Sequence, residues 1–124
     1  MIRFKLDDLI RFDGSAPHLQ SVAESGHCRV TLICLKEGQS LKDHRTACQV
    51  AIHLLRGTAH IVEEGKSLLA VEGDLVLIPP GARHRVEAEG DCALLAILAP
   101  HPARKQYPED QVDRWIPHAP HEAV

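Results

Sequence analysis

The chain has 124 residues, the length of a single domain, and its net charge is −3 with histidine neutral, which argues against nucleic acid as the main partner. An apolar fraction of 44% and a charged fraction of 25% are those of an ordinary globular domain that needs neither disulfide nor metal to fold. No run of about eighteen apolar residues offers a membrane span, and acids stand within Met1 to Asp8 where a signal peptide needs its apolar core, so no membrane contact and a cytoplasmic location are expected.

Residues 1–27 open with Phe4, Leu6, Leu9 and Ile10, which line either a helix or a twisted strand. A short element is expected here, packed across the core and ended by Asp13 and Gly14. Residues 28–99 form the core of the domain. Gly57, Gly65, Gly73 and Gly81 recur every eight residues. Aliphatic runs lie around them: Val30 to Leu35, Val50 to Leu55, Leu68 to Val71, Leu75 to Ile78 and Ala93 to Leu98. Short strands broken by glycine turns at this spacing indicate an all-β sandwich or barrel.

Two of these runs, Thr31 to Leu35 and Ala93 to Leu98, do not alternate between apolar and polar residues. A strand with one solvated face should alternate. One face therefore fills the interior, and the other needs cover from terminal segments or a second subunit; a homodimer is expected. Between residues 13 and 106 there is no aromatic residue, so the interior is aliphatic and offers no ring on which sugars, bases or flavins stack. Cys28, Cys34, Cys48 and Cys92 contain no CxxC spacing and read as reduced thiols, with Cys34 and Cys92 as small core residues.

Residues 100–124 form a proline-rich arm with Pro100, Pro102, Pro108, Pro117 and Pro120. Pro108 followed by Glu109 and Asp110 has the pattern of a first helical turn. Val112, Trp115 and Ile116 then share a face, which predicts a short helix docked through Trp115 and stopped by Pro117, with residues 118–124 frayed.

The chemistry is concentrated in two segments. Gly73, Pro79, Gly81 and His84 follow a buried-type strand, and Pro79-Pro80-Gly81 forces a sharp turn that presents His84 to the interior. Upstream stand Gly38, His44 and Gly57. The spacing of Gly73, Pro79, Gly81 and His84 resembles the second signature motif of the cupin family, although that motif closes on an asparagine and this chain has Ala88. Gly38, His44 and Gly57 resemble the first. The resemblance covers residues 28–99 and implies a jelly-roll or double-stranded β-barrel of six to eight strands, with the C-terminal helix or arm outside it.

The resemblance also implies a metal held by two histidines two residues apart, a glutamate and the second-motif histidine. At those positions this chain has His44, Thr46, Val50 and His84. Two imidazoles fall short of the three or four ligands that zinc or non-haem iron takes. A divalent iron, zinc, manganese or nickel ion on His44 and His84 is thus an incomplete site. His53 has the wrong strand parity to complete it and is expected to face outward, near His60 across a hairpin. A bulge between residues 46 and 50 would bring Gln49 or Cys48 inward. Arg45, Arg83 and Arg85 have outward parity and read as a solvated rim. His18, His27, His101, His118 and His121 read as surface residues.

The expected pocket therefore contains His44, Thr46, Gln49, Val50 and His84. The expected function is binding of a small molecule in an aliphatic barrel. A metal-dependent dioxygenase or isomerase and a regulatory or sensing cupin are the alternatives.

Overall fold

The computed structural model describes residues 1–124. The aliphatic runs fold as strands, twelve in all: β1 Ile2–Arg3, β2 His18–Glu24, β3 Arg29–Leu35, β4 Ser40–His44, β5 Gln49–Arg56, β6 Ala59–Glu63, β7 Lys66–Ala70, β8 Leu75–Ile78, β9 His84–Ala88, β10 Cys92–Ala99, β11 Ile116–Pro117 and β12 Glu122–Ala123. A six-stranded sheet runs β11-β2-β3-β10-β5-β8, and a four-stranded sheet runs β4-β9-β6-β7. Every pairing is antiparallel. The two sheets close on a shared core as a jelly-roll β-barrel. The count exceeds the expected six to eight because the terminal segments add the seven-residue β2 and three two-residue strands, with β1 pairing β12 and β11 pairing β2.

Strand alternation sorts the side chains into two clusters. Val50, Ile52 and Leu54 of β5 point inward with Ile33, Ile61 and Leu94, all nearly or fully buried. Each such side chain contributes roughly 1.5–3 kcal/mol on leaving water. Leu32, Cys34 and Ala93 face the other way and form a second cluster with Leu9, Val22 and Ala119. This accounts for the doubly apolar runs. The outer side of β3 and β10 is covered by the chain's own ends: Leu9 comes from a 3-10 turn at Leu6–Leu9, and Ala119 comes from the C-terminal arm. The cover does not reach β8, where Leu75 is 61% and Leu77 71% exposed.

The N-terminal segment does more than pack on the barrel, because its β2 is a full member of the six-stranded sheet. The C-terminal arm departs further from expectation. In place of the helix after Pro108 there is a 3-10 turn at Glu109–Gln111, preceded by another at Arg104–Gln106 and followed by β11 against Ala23 and Glu24 of β2. A helix confined between Pro108 and Pro117 would be too short to hold its own hydrogen bonds, whereas the open edge of β2 supplies partners. Trp115 is not the anchor and remains about half exposed. Val112 takes that role: its carbonyl accepts from Gly26 N at 2.7 Å, and a Cβ on Gly26 would lie 2.4 Å from Val112 Cγ1. The last residues are also tied down. His118 N and Ala119 N both donate to Val22 O, and Val124 N donates to Met1 O. No helix is long and apolar enough to cross a membrane.

Candidate functional site

The turn before β9 is built by its sequence. Ala82 N donates to Pro79 O at 3.3 Å, Pro80 and Gly81 are the central residues, and Gly81 has φ of 79°. This is a type II turn, with proline where φ is fixed and glycine where φ is positive. Gly81 N also donates to Thr46 O at 2.8 Å, tying the turn to the segment before β5. His84 then enters β9 only 3% exposed, with Nδ1 donating to Ala82 O at 3.0 Å.

His44 reaches the same place by an irregularity. Leu41 pairs with Val86, and continued regular pairing would set Asp43 against His84. Instead the register shifts between Leu41 and His44, and His44 stands opposite His84. The extra residue turns His44 to the side of the sheet that His84 occupies. The ring centroids are 4.2 Å apart with planes at 59°. His44 Nδ1 donates to Lys42 O at 3.0 Å. A carbonyl oxygen only accepts, so each Nδ1 carries the hydrogen and each neutral ring keeps its Nε2 lone pair for a ligand.

The two imidazoles line a cavity of about 390 Å³ whose walls are mostly aliphatic: Ile33, Leu41, Val50, Ile52, Val86, Leu94, Ala96 and Leu98. Its polar lining is Arg29, Thr31, Lys42, Asp43, His44 and His84. Register explains the arrangement. Arg29, Leu98, Val50 and Ile78 form one transverse row across the six-stranded sheet, and Thr31, Ala96, Ile52 and Val76 form the next inward row on the same face. The small Thr31 and Ala96 leave the space that the cavity occupies.

Of the residues expected in the pocket, His44, Val50 and His84 line the cavity, while Thr46 and Gln49 do not. Thr46 turns its hydroxyl to accept from Cys48 N at 3.2 Å, and Gln49 is exposed at the start of β5. The bulge that matters lies in β4, upstream of the segment where one would bring Gln49 or Cys48 inward. His53 occupies the outer face of β5, as its parity requires. His60 does not meet it, because β5 and β6 belong to different sheets; His60 Nε2 lies 3.1 Å from Glu89 Oε2. Arg85 is held outside the barrel by Glu87 at 2.8 Å and Asp43 at 3.6 Å.

Sequence reasoning missed Arg29, Thr31 and Lys42 in the lining. The available signal was alternation: Arg29 and Thr31 share parity with Ile33 and Leu35. It also placed His101 on the surface, where the structure buries it to 4% exposure. The reason is Glu24. Its Oε2 takes His101 Nε2 at 2.7 Å and its Oε1 takes His118 Nε2 at 2.9 Å. Burial pushes the Glu24 carboxyl upward, but hydrogen bonds from His101, Tyr107 and His118 outweigh it and bring the pKa down to about 2. Burial, with Cys34 and Asp91 nearby, raises the Cys92 thiol to about 11, so it is not a reactive thiolate.

The donor set does not fit a metal ion. Asp43 lines the cavity and Glu63 pairs with His84 across β6 and β9, yet neither joins the two imidazoles in a group of three potential ligands. Zinc and non-haem iron sites take at least three protein ligands, and Thr46 and Val50 supply none.

Comparison with known proteins points the same way as the fold. A family model described as Cupin domain matches residues 31–98. No curated protein matches the chain. Among solved structures, the chain is similar to an RmlC-like cupin protein from Desulfovibrio desulfuricans, with 26% identity and a TM-score of 0.75 over 80% of this chain and 96% of that one. It is similar to the TT1209 protein from Thermus thermophilus, with 24% identity and a TM-score of 0.73 over 81% of this chain and 98% of that one. A cupin superfamily protein from Desulfitobacterium hafniense shares 20% identity, with a TM-score of 0.73 over 77% of this chain and 88% of that one. The last two likenesses concern the fold alone.

Proposed function

The chain belongs to the cupin domain family, and on that premise we propose that it binds a small, largely apolar molecule inside the barrel, held at its polar end by His44 and His84. The observation that carries this reading is the pair of imidazoles at the wall of an aliphatic cavity of about 390 Å³, each with Nδ1 bonded to a carbonyl. That volume lies within the range of small-molecule sites. A ligand hydroxyl donates to Nε2, and the aliphatic walls take up the rest of the molecule. This direct mode needs no metal, and the two-histidine donor set favours it over a metal-dependent reaction.

Two further readings accompany the proposal. The exposed Leu75 and Leu77, in register with His53 and Ala51, favour a homodimer through the outer face of β5 and β8. The four unpaired cysteines fit a reducing, cytoplasmic setting.

The test uses hexanoate and 1-hexanol as probes, read by thermal shift. Either probe is expected to raise the Tm of the wild-type protein. Ala96→Leu, which fills the cavity from β10, is expected to fold and to lose that response. A wild-type Tm unmoved by both probes at millimolar concentration rejects the reading.

A further inference from the structure

We propose that the barrel selects carboxylates, and that Arg29 of β3 is the residue that reads the acid group of an aliphatic monocarboxylic ligand, an inference that rests on the ligand-binding reading above. Arg29 lines the barrel cavity and also the polar cleft beside it, which it shares with Ser21, Glu24 and His118. It therefore stands where an apolar wall gives way to solvent.

The charges at this mouth are unequally engaged. Glu24, the carboxylate nearest Arg29, already accepts from His101 and His118 on its two oxygens, and Arg29 Nε lies 3.7 Å away, beyond hydrogen-bond length. The Arg29 guanidinium makes no hydrogen bond within the protein, so its planar fork of donors is free to take a carboxylate in two parallel bonds. Asp43, the other acid in the lining, is paired with Arg85. Lys42 has no acidic partner and adds a second positive charge to the same lining. Arg29 and Arg85 thus lie at similar distances from Glu24 and Asp43, but Glu24 is already hydrogen-bonded by two imidazoles, Lys42 has no acidic partner, and the Arg29 hydrogen bonds are all still to be made, so the mouth favours an anion.

The rest of the ligand follows from the walls. Leu98 and Val50 continue the Arg29 row, and Ala96 and Ile52 form the row behind it. No aromatic ring lines the cavity, so an aliphatic tail fits better than one that needs stacking. Part of the Arg29 side chain is shielded, with 39% exposed, which strengthens a charge-assisted bond relative to one in open water.

Calorimetric titration with hexanoate and 1-hexanol at pH 7.5 separates this inference from the reading beneath it. Wild-type protein is expected to bind hexanoate at least tenfold more tightly than hexanol, the scale of a hydrogen bond to a charged group. Arg29→Gln is expected to lose that preference with hexanol affinity unchanged, and Arg29→Lys to restore part of it. If Arg29→Gln is misfolded by circular dichroism, the wild-type protein alone decides the matter. Raising salt from 50 to 500 mM is then expected to weaken hexanoate several-fold and leave hexanol unmoved. Equal wild-type affinity for the two probes, retention of hexanoate affinity in a folded Arg29→Gln, or salt-independent hexanoate binding overturns carboxylate selection and leaves the binding site standing. Failure of both probes to bind overturns both.

Discussion

His44 and His84 share one hydrogen-bond pattern in unlike surroundings, His84 buried and His44 exposed. Their rings lie 4.2 Å apart between centroids, and each donates Nδ1 to the backbone carbonyl two residues earlier in its own chain segment, Lys42 for one and Ala82 for the other. One is set by a bulge in β4 and the other by the Pro80-Gly81 turn. Two unrelated local devices thus deliver the same tautomer to the same wall, with both Nε2 atoms left for a ligand.

Metal content is the first consequence. Protein equilibrated with an excess of iron, zinc, manganese or nickel salts and then desalted is expected to retain well under one equivalent by elemental analysis. A chelator should leave its Tm unchanged. Stoichiometric metal that disappears in His44→Ala would contradict the donor-set argument.

Acid should weaken the clasp between β2 and the C-terminal arm. The Glu24 carboxyl titrates at about 2, below its ordinary 4.5. A depressed carboxyl stabilises the fold fully above about pH 4.5 and loses that contribution as pH falls toward 2. Glu24 is partly solvated, so the contribution is on the order of 1–2 kcal/mol after allowing for screening. Glu24→Gln is expected to be less stable at pH 7 by that amount and to show a flatter stability profile between pH 4.5 and 2. Urea denaturation across that window checks it; parallel profiles for the two proteins would count against the assignment.

Core and outer face should respond differently to substitution. Leu94 is fully buried and packs in the inner cluster, so Leu94→Ala is expected to cost about 2–5 kcal/mol in urea unfolding. Leu77 is 71% exposed, so Leu77→Glu is expected to change unfolding by no more than about half a kcal/mol when both proteins are compared at dilutions where each is monomeric.

The same Leu77→Glu substitution tests self-association. A large apolar pair on the edge strand β8 is an invitation to pairing. Light scattering on the wild-type protein is expected to give twice the chain mass at micromolar concentration, and Leu77→Glu the mass of one chain. A monomeric wild-type protein rejects the dimer.

The barrel was legible in the sequence wherever information is local. Pro79, Pro80 and Gly81 dictate a turn whatever surrounds them, and the parity of Val50, Ile52 and Leu54 against His53 follows from strand geometry alone. Features that depend on register across distant strands were not legible. Arg29 enters the site because it pairs with Leu98, which pairs with Val50. His101 is buried because Glu24, 77 residues away, receives it. The β4 bulge has no glycine to announce it; Lys42 and Asp43 look like ordinary strand residues. The arm was misread for a related reason, since its proline and acids form a helix-start pattern, while the competing partner was the distant edge of β2.

The central claim is that a ligand enters the barrel and meets His44 and His84. Nitrogen NMR of histidine-labelled protein at pH 8, titrated with hexanoate, tests it most directly. With 1-hexanol, whose hydroxyl can donate to an Nε2 lone pair, as a second titrant beside hexanoate, the account predicts that 1-hexanol moves the Nε2 resonances of His44 and His84 together to saturation, while those of His27 and His121, remote from the cavity lining, stay in place. Resonances of His44 and His84 that do not move, or that move no more than those of His27 and His121, would contradict it.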